Sequence, residues 1–453
     1  MKFGGTSVGD VAAFQRVISI VSSQVDKQPV VVTSAMTKMT DALLAAFETA
    51  RKGDAETAFE SLEPHFARHA DVLESLVTLD NKQSFTNELR FAREELSDLL
   101  TRVTRRSLPL QMLKDAIVSY GEQLSSRLLT DVLRSNGVNA RHMDSRRLIV
   151  TDDEYGSAQP IWQDTKELVC VELTPMITAG EVPVLGGFIA ASQAGETTTL
   201  GRGGSDYSAA IYAACLKAGE LQIWTDVTGV LTCDPRVCPE ARTLRTLSYE
   251  EAAELAYFGA KVLHPKTIQP AVDLEIPVRV CNSSEPGEQG TMVLPAGKST
   301  PRKIKSIAHK SGITVLHITS ARMLGAYGFM SAIFQIFERH RTVVDVVTTS
   351  EVSVSLTLDN TSALESVVAD LERIGNVDIE PDQAIICLVG SGLRQTAGVA
   401  AQIFSAISDF NVSMISHGAS GVNMTFVVKQ DVVAEVISKL HREFFQNESI
   451  SAN

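Results

Sequence analysis

The sequence predicts an α/β protein in which a mostly parallel sheet lies between helices and two small α+β units follow. Three observations predict it. Short β-branched or apolar runs alternate with longer helical stretches as far as Cys281, and such alternation builds parallel strands covered on both faces. Two glycine loops, at 2–8 and 197–206, each lead into the start of a helix, the second of them directly from a strand. Beyond a Gly, Pro, Ser and Lys-rich stretch at 287–305, an internal repeat sets Ile333-Phe334, Val343-Val344 and 354–358 against Ile403-Phe404, Val412 and 424–428. Its spacing is about 70 residues.

The chain is organised around the second loop. Three threonines and Leu200 end a strand, Gly201, Gly203 and Gly204 follow, and Ser205 and Asp206 open a helix over 207–216. Glycines let the backbone approach a ligand, and the N–H groups and dipole at a helix start favour an anion. Arg202 adds a planar donor fork suited to a carboxylate or phosphate. Asp206 can orient a reacting group, bind a metal or cap the helix. The first loop repeats the theme with Lys2 ahead of Gly4 and Gly5, and Thr6 or Ser7 is placed to cap the helix that begins near Val11. Its spacing is not that of a Walker P-loop.

The remaining elements follow in order. A buried strand at 29–33 ends at Ser34, and a helix runs from near Thr40 to Gly53. Residues 54–105 read as a helical excursion, and 111–135 as a long amphipathic helix stopped by Asn136-Gly137. Glu122 sits on it beside Gly121, where a ligand has room. A strand at 138–143, a helix at 161–178, a strand at 182–190, a strand at 221–226, a capping box at Ser248 and Glu251, and a strand at 276–281 complete this half.

The chain has 453 residues, enough for two or three domains. A net charge of −13 with no basic stripe argues against nucleic acid and anionic membranes. No apolar run is long enough to span a bilayer and no signal or transit pattern is present, so the expected location is the cytoplasm. The six cysteines are scattered without a C-x-x-C pair or a histidine at zinc spacing, and read as reduced, partly buried residues with no metal site.

KFGGTSV (2–8), SYGEQLSSRLL (119–129), TTLGRGGSD (198–206), WTDVTGV (224–230) followed by CDPR, and FGAKVLHP (258–265) resemble aspartate kinase, in the same order. The repeat is similar to that family's paired ACT domains. The resemblance implies an amino acid kinase domain over 1–295 and ACT-like, ferredoxin-like regulatory domains over 306–380 and 381–453. It implies transfer of the γ-phosphoryl group of ATP to the β-carboxylate of L-aspartate, the first step toward lysine, threonine and methionine. An aspartate carboxylate is ionised at neutral pH, so no general base is needed. The task is to align two anions in line, which calls for cations and preorganised donors.

Carried over by motif, Lys2 with Gly4 and Gly5 holds the phosphoryl group, and Arg202 clamps a substrate carboxylate. Glu122 pairs with the α-ammonium, Ser34, Thr40 and Ser205 line the aspartate side, and Asp206 orients Lys2 or the metal-bound phosphate. Thr225, Asp226, Leu231, Arg236 and Lys261 match the nucleotide side, with Mg²⁺ bridging the phosphates. Two departures stand out: Met1 directly precedes Lys2, so the strand expected there is cut short and the phosphate loop loosened, and Leu231 stands where a tyrosine is frequent.

In the first repeat, Met323, Phe329, Met330, Val343, Val344, Asp345, Ser350 and Glu351 resemble the effector site of the lysine-inhibited, single-function type. Asp345 and Glu351 then face ammonium groups, while Gly325 and Ala326 leave threonine open as an effector. A homodimer through the repeats is expected. The alternatives are a glutamate or acetylglutamate kinase of the same fold, and an amino-acid sensor without turnover.

Overall fold

The computed structural model describes residues 1–259, 263, 265–297, 303–325 and 327–446. In chain order the first strands and helices are β1 (Lys2–Phe3), α1 (Val11–Ser22), β2 (Val31–Thr33), α2 (Met39–Arg51), α3 (Ala55–Glu60), α4 (Glu63–Leu76), α5 (Leu79–Arg105) and α6 (Leu110–Ser135). There follow β3 (Ala140–Met143), β4 (Val150–Thr151), α7 (Trp162–Thr178), β5 (Val182–Gly186), β6 (Ile189–Ser192), β7 (Thr197–Thr199), α8 (Gly204–Leu216) and β8 (Leu221–Thr225). Then come β9 (Thr246–Ser248), α9 (Tyr249–Tyr257), α10 (Pro265–Asp273), β10 (Val278–Asn282) and β11 (Thr291–Leu294).

The chain forms two compact units, one of residues 1–230 with 264–295 and the other of 231–263 with 296 onward. In the first unit the strand order is β3-β5-β2-β1-β8-β10-β11. All neighbours are parallel except β10 and β11. The runs VVT of β2 and VPVLG of β5 are wholly buried, as a parallel sheet covered on both faces requires. A second sheet, β4-β6-β7, carries the threonine strand to the glycine loop.

The predicted excursion is helical throughout. Phe85, Ala92, Leu96, Leu100 and Val103 recur on one face of α5 and are buried with Leu113, Ile117, Leu124 and Leu128 of α6. Glu122 is thereby fixed on a helix that is buried along most of its length. Despite having only Met1 before it, β1 is in place: Phe3 is fully buried, and Lys2 and Phe3 pair with β2 on one side and β8 on the other.

Three local expectations need correction. The strand foreseen over 182–190 is two strands, broken where Gly187 donates to Thr33 and Phe188 takes a left-handed φ of 66°. Asp10, not Thr6 or Ser7, caps α1 by accepting from the Ala13 N–H at 2.8 Å. The stretch read as a linker contains β11, which extends the sheet.

The second unit holds an antiparallel sheet ordered β13-β14-β12-β15-β17-β16. Its strands are β12 (Ser306–Thr319), β13 (Val347–Thr349), β14 (Ser353–Leu358), β15 (Asn376–Val389), β16 (Met414–His417) and β17 (Asn423–Lys429). The helices are α11 (Phe329–Arg339), α12 (Leu364–Leu371), α13 (Val399–Ala406) and α14 (Val433–His441). Each repeat has two helices, α11 and α12 in the first and α13 and α14 in the second.

The repeats are nested rather than strictly successive. The late half of β12 pairs with β14 over Thr314 to Thr319, whereas its early half, Ser306 to Ser311, pairs with the β15 residues Val389 to Ala384 that also bind β17. The second repeat therefore takes one strand from a segment before the first, and a cut at 380/381 separates strands that belong together. The first repeat is filled by Leu316, Ile333, Phe337, Leu356 and Val367, and the second by Ile307, Ile386, Ile403, Phe426 and Ile437.

Candidate active site

In the first unit the two glycine loops meet at the carboxyl ends of β1 and β2. Gly4 donates to the Trp224 carbonyl at 3.0 Å, Ser34 donates to the Phe3 carbonyl at 3.0 Å, and Thr37 Oγ1 donates to the Gly5 carbonyl at 2.7 Å. A Cβ on Gly5 would sit 2.9 Å from the Ala35 carbonyl oxygen, so the loop can press this close only with glycine there. Ser7 Oγ donates to Ser283 Oγ at 2.8 Å and pins the far side.

The second loop enters α8 through Gly203, which has φ of 74° and whose Cβ would lie 2.6 Å from Thr267 Cγ2. No side chain caps this helix. Asp206, in its first turn, instead forms an ion pair with Lys2, with Nζ 2.7 Å from Oδ1. Both groups are largely buried, and the aspartate orients the lysine across the junction of the loops.

A cleft of about 410 Å³ gathers Lys2, Gly5, Ser34, Thr40, Glu122, Arg202, Ser205 and Asp206. Arg202 is exposed at its edge, and no acidic side chain among the described residues pairs with it. Glu122 is 3% exposed, with Oε1 accepting from the Ala35 N–H at 3.1 Å and Oε2 left without a partner. Burial pushes its carboxyl up to about 8, against the opposing effects of the Ala35 N–H and the nearby Lys2 ammonium. An enclosed carboxylate with one unused oxygen is a seat for a cation.

The cleft also contains Thr37, Lys38, Asp41 and Phe188, which the sequence reading did not select. Lys38 has a left-handed φ of 64°. A second lysine in that conformation beside Met39 of α2 is invisible to periodicity, although the segment Ser34 to Thr40 already bracketed it. Gly4 is at the bend that leads into the cleft. Thr225 and Asp226 stand where β8 ends, with Thr225 Oγ1 donating to Asp226 Oδ1 at 3.1 Å. Leu231 and Arg236 belong to the second unit, where Arg236 pairs with Asp234 at 2.6 Å. Lys261 lies outside the described residues.

In the first repeat, Met323, Phe329, Met330, Ser350 and Glu351 line one pocket with Leu324, Gly325 and Gly328. Val343, Val344 and Asp345 are not part of it. Asp345 is occupied within the unit, accepting from the Tyr257 hydroxyl at 2.8 Å and pairing with Lys310 at 3.1 Å. It does face an ammonium, but that of the chain's own lysine.

The amino acid kinase family profile matches residues 1–282, and an ACT domain profile matches 386–444. The lysine-sensitive aspartokinase 3 of Escherichia coli is 37% identical over 98% of both chains. The chain belongs to the aspartokinase family. The crystal structure of Escherichia coli aspartokinase III with lysine and aspartate superposes with a TM-score of 0.83 over 98% of each chain, at 37% identity. The same enzyme with aspartate and ADP gives 0.81 over 98% of this chain and 99% of that one, again at 37% identity. As an aspartokinase, the chain is a phosphotransferase with a carboxylate as acceptor. Its described helices include none long and apolar enough to cross a membrane.

Proposed function

We propose that the cleft between the glycine loops aligns the β-carboxylate of L-aspartate with the terminal phosphorus of ATP. What carries this reading is the meeting of Lys2, Asp206, Arg202 and Glu122 in one cleft. Glu122, through its free Oε2, receives the α-ammonium, and Arg202 takes a substrate carboxylate in its fork. Ser34, Thr40 and Ser205 offer hydroxyl groups to the same substrate. Lys2, held by Asp206, neutralises charge on the transferring phosphoryl oxygens, and the Gly5 N–H accompanies it, while Gly4, its own N–H given to the Trp224 carbonyl, shapes the bend of the loop. Thr225 and Asp226 stand on the nucleotide side. When bound with ATP, Mg²⁺ supplies charge neutralisation across the phosphates; Asp206, already tied to Lys2, serves the lysine first.

The discriminating experiment measures ADP release from MgATP with L-aspartate, L-glutamate and N-acetylglutamate. Release with aspartate alone is expected; release with glutamate but not aspartate would transfer the assignment to a different amino acid kinase. Lysine is the proposed inhibitor, with Glu351 and Ser350 meeting its polar groups and Phe329 and Met330 its aliphatic chain. Binding of lysine with no turnover on any acceptor would instead indicate a sensor. A second copy of the chain is proposed to cover Tyr327, Phe334 and Val343, which are exposed at 104%, 41% and 66%. The cytoplasm is the proposed location.

A further inference from the structure

Cysteines that are dispersed in the sequence converge in the second unit. Cys233, Cys238 and His441 are all buried, and one ligand atom from each lies within 4.8 Å of the others. The two cysteines belong to a loop closed by the Leu231 and Thr243 bridge and by the Thr232 N–H donating to the Arg242 carbonyl at 2.9 Å. Within it, Val237 and Cys238 both donate to the Asp234 carbonyl, at 3.0 and 2.9 Å. That turn folds Cys238 back toward Cys233. His441 comes from the end of α14, some two hundred positions later, which is why sequence spacing gave no sign of it.

The histidine is the informative member. Its Nε2 lies 3.0 Å from Thr232 Oγ1, a hydroxyl that also accepts from the Arg242 N–H at 3.0 Å. The Thr232 hydroxyl also bonds the Cys233 sulfur; with its proton directed there, Nε2–H donates to Oγ1 and the lone pair of the imidazole lies on Nδ1. Nδ1 is buried without a hydrogen-bond partner. A buried, unpaired ring nitrogen is costly, and a histidine anchored through its other nitrogen is the usual arrangement of a metal ligand. The Phe445 ring, 4.8 Å away between centroids, holds the imidazole plane from one side.

We propose that Cys233 Sγ, Cys238 Sγ and His441 Nδ1 bind one divalent cation of the zinc class, tying the 231–243 loop to the end of α14. Two sulfurs and one imidazole suit a borderline-soft ion, and the four residues between the cysteines fall within known zinc-ligand spacing. Glu240 Oε2, 3.4 Å from Cys238 Sγ, borders the three-residue cluster without belonging to it and is placed to orient a water at the fourth position. Both thiols lose their protons to solvent as the ion binds, so the dithiolate site is neutral overall and two protons are released per cation. Ile304, Ile307, Val433 and Val436 surround the cysteines in one apolar cluster, which shields such bonds from water.

The test uses the full chain, reduced, stripped with chelator, and titrated with Co²⁺. One equivalent per chain is expected, with thiolate-to-cobalt charge-transfer absorption, release of two protons, and loss of the colour when Zn²⁺ is added. Cys238→Ser should reduce the charge-transfer intensity by about half, and the Cys233→Ser, Cys238→Ser double variant should abolish it. Circular dichroism of each variant before metal addition reports folding. If the double variant fails to fold, the wild-type stoichiometry and proton count decide. Absence of thiolate charge transfer in the reduced wild-type chain, or its survival in a folded double variant, would overturn the site. So would a fully reduced, folded chain that takes up no cation.

Discussion

Lys2 Nζ lies 2.7 Å from Asp206 Oδ1, so one ion pair joins the first glycine loop to the start of α8. The pair is preorganised: Lys2 is held in the central strand of the sheet, and Asp206 is spared from capping its own helix. Substituting Lys2 by Met should lower kcat by roughly 10²- to 10³-fold, the cost of removing one preorganised donor from developing charge, with aspartate KM much less affected. A kcat within a factor of two of wild type in steady-state assays would remove Lys2 from the transition state. Asp206→Asn should reproduce part of that loss by letting the lysine swing.

Arg202 has no acidic partner among the described residues, which leaves its fork for a ligand. Arg202→Ala should raise aspartate KM roughly 10- to 100-fold, the range for a charge-assisted hydrogen bond, and Arg202→Lys should recover little because a single ammonium cannot replace the fork. Equilibrium binding of ADP should be unaltered in both. Unchanged aspartate saturation would refute the clamp.

Glu122 connects pH to substrate binding. With its carboxyl pushed up to about 8 by burial, the free enzyme holds it protonated at lower pH, and a cationic α-ammonium requires the ionised form. Aspartate KM should therefore fall as pH rises from 6 toward 8, with a proton released on binding. The Glu122→Gln variant should bind weakly and show a flat pH profile. A profile identical to wild type would exclude Glu122 from ammonium recognition.

His69 should set an acid limit on stability. It is fully buried, stacks near Phe85, donates from Nδ1–H to the His65 carbonyl at 2.8 Å, and has Nε2 without a partner among the described residues. Burial lowers its pKa from 6.5 to about 4. Between those values the unfolded chain binds a proton that the folded chain does not, so stability falls as pH drops through that window. Tm should decline by several degrees from pH 7 to pH 5, and His69→Gln, though less stable at pH 7, should show a smaller decline. A parallel pair of curves would assign the acid sensitivity elsewhere.

Glu351 is exposed beside Ser350 and the Phe329 ring in the pocket of the first repeat. Glu351→Gln should raise the lysine concentration for half-inhibition about tenfold, the effect of losing one charge-assisted contact, while kcat without lysine stays at the wild-type value. Inhibition curves that superimpose would remove Glu351 from effector binding.

Much of this site could be seen in the chain because loops built on glycine announce themselves. Gly201, Gly203 and Gly204 predicted a helix start aimed at an anion, and Glu122 next to Gly121 predicted a carboxylate with space around it. Lys38 and Phe188 escaped notice because their left-handed backbone is imposed by surrounding contacts, not by residue type. The meeting of Cys233 with His441 escaped for a different reason: only tertiary pairing brings α14 to the 231–243 loop. Asp345 was expected to greet an external ammonium, and no one-dimensional pattern reveals that Lys310 reaches it first.

Two fourteen-residue strands, β12 and β15, run through both repeats. A displacement of backbone at the effector end of either passes to the other repeat only across one shared break, where Gly312 in β12 and Asp382 in β15 take left-handed φ of 74° and 55° and the register shifts. Excising 306–380 as an independent module would tear a strand from its neighbour and expose an unpaired edge, so the smallest soluble fragment should begin before Ser306 and end after α14.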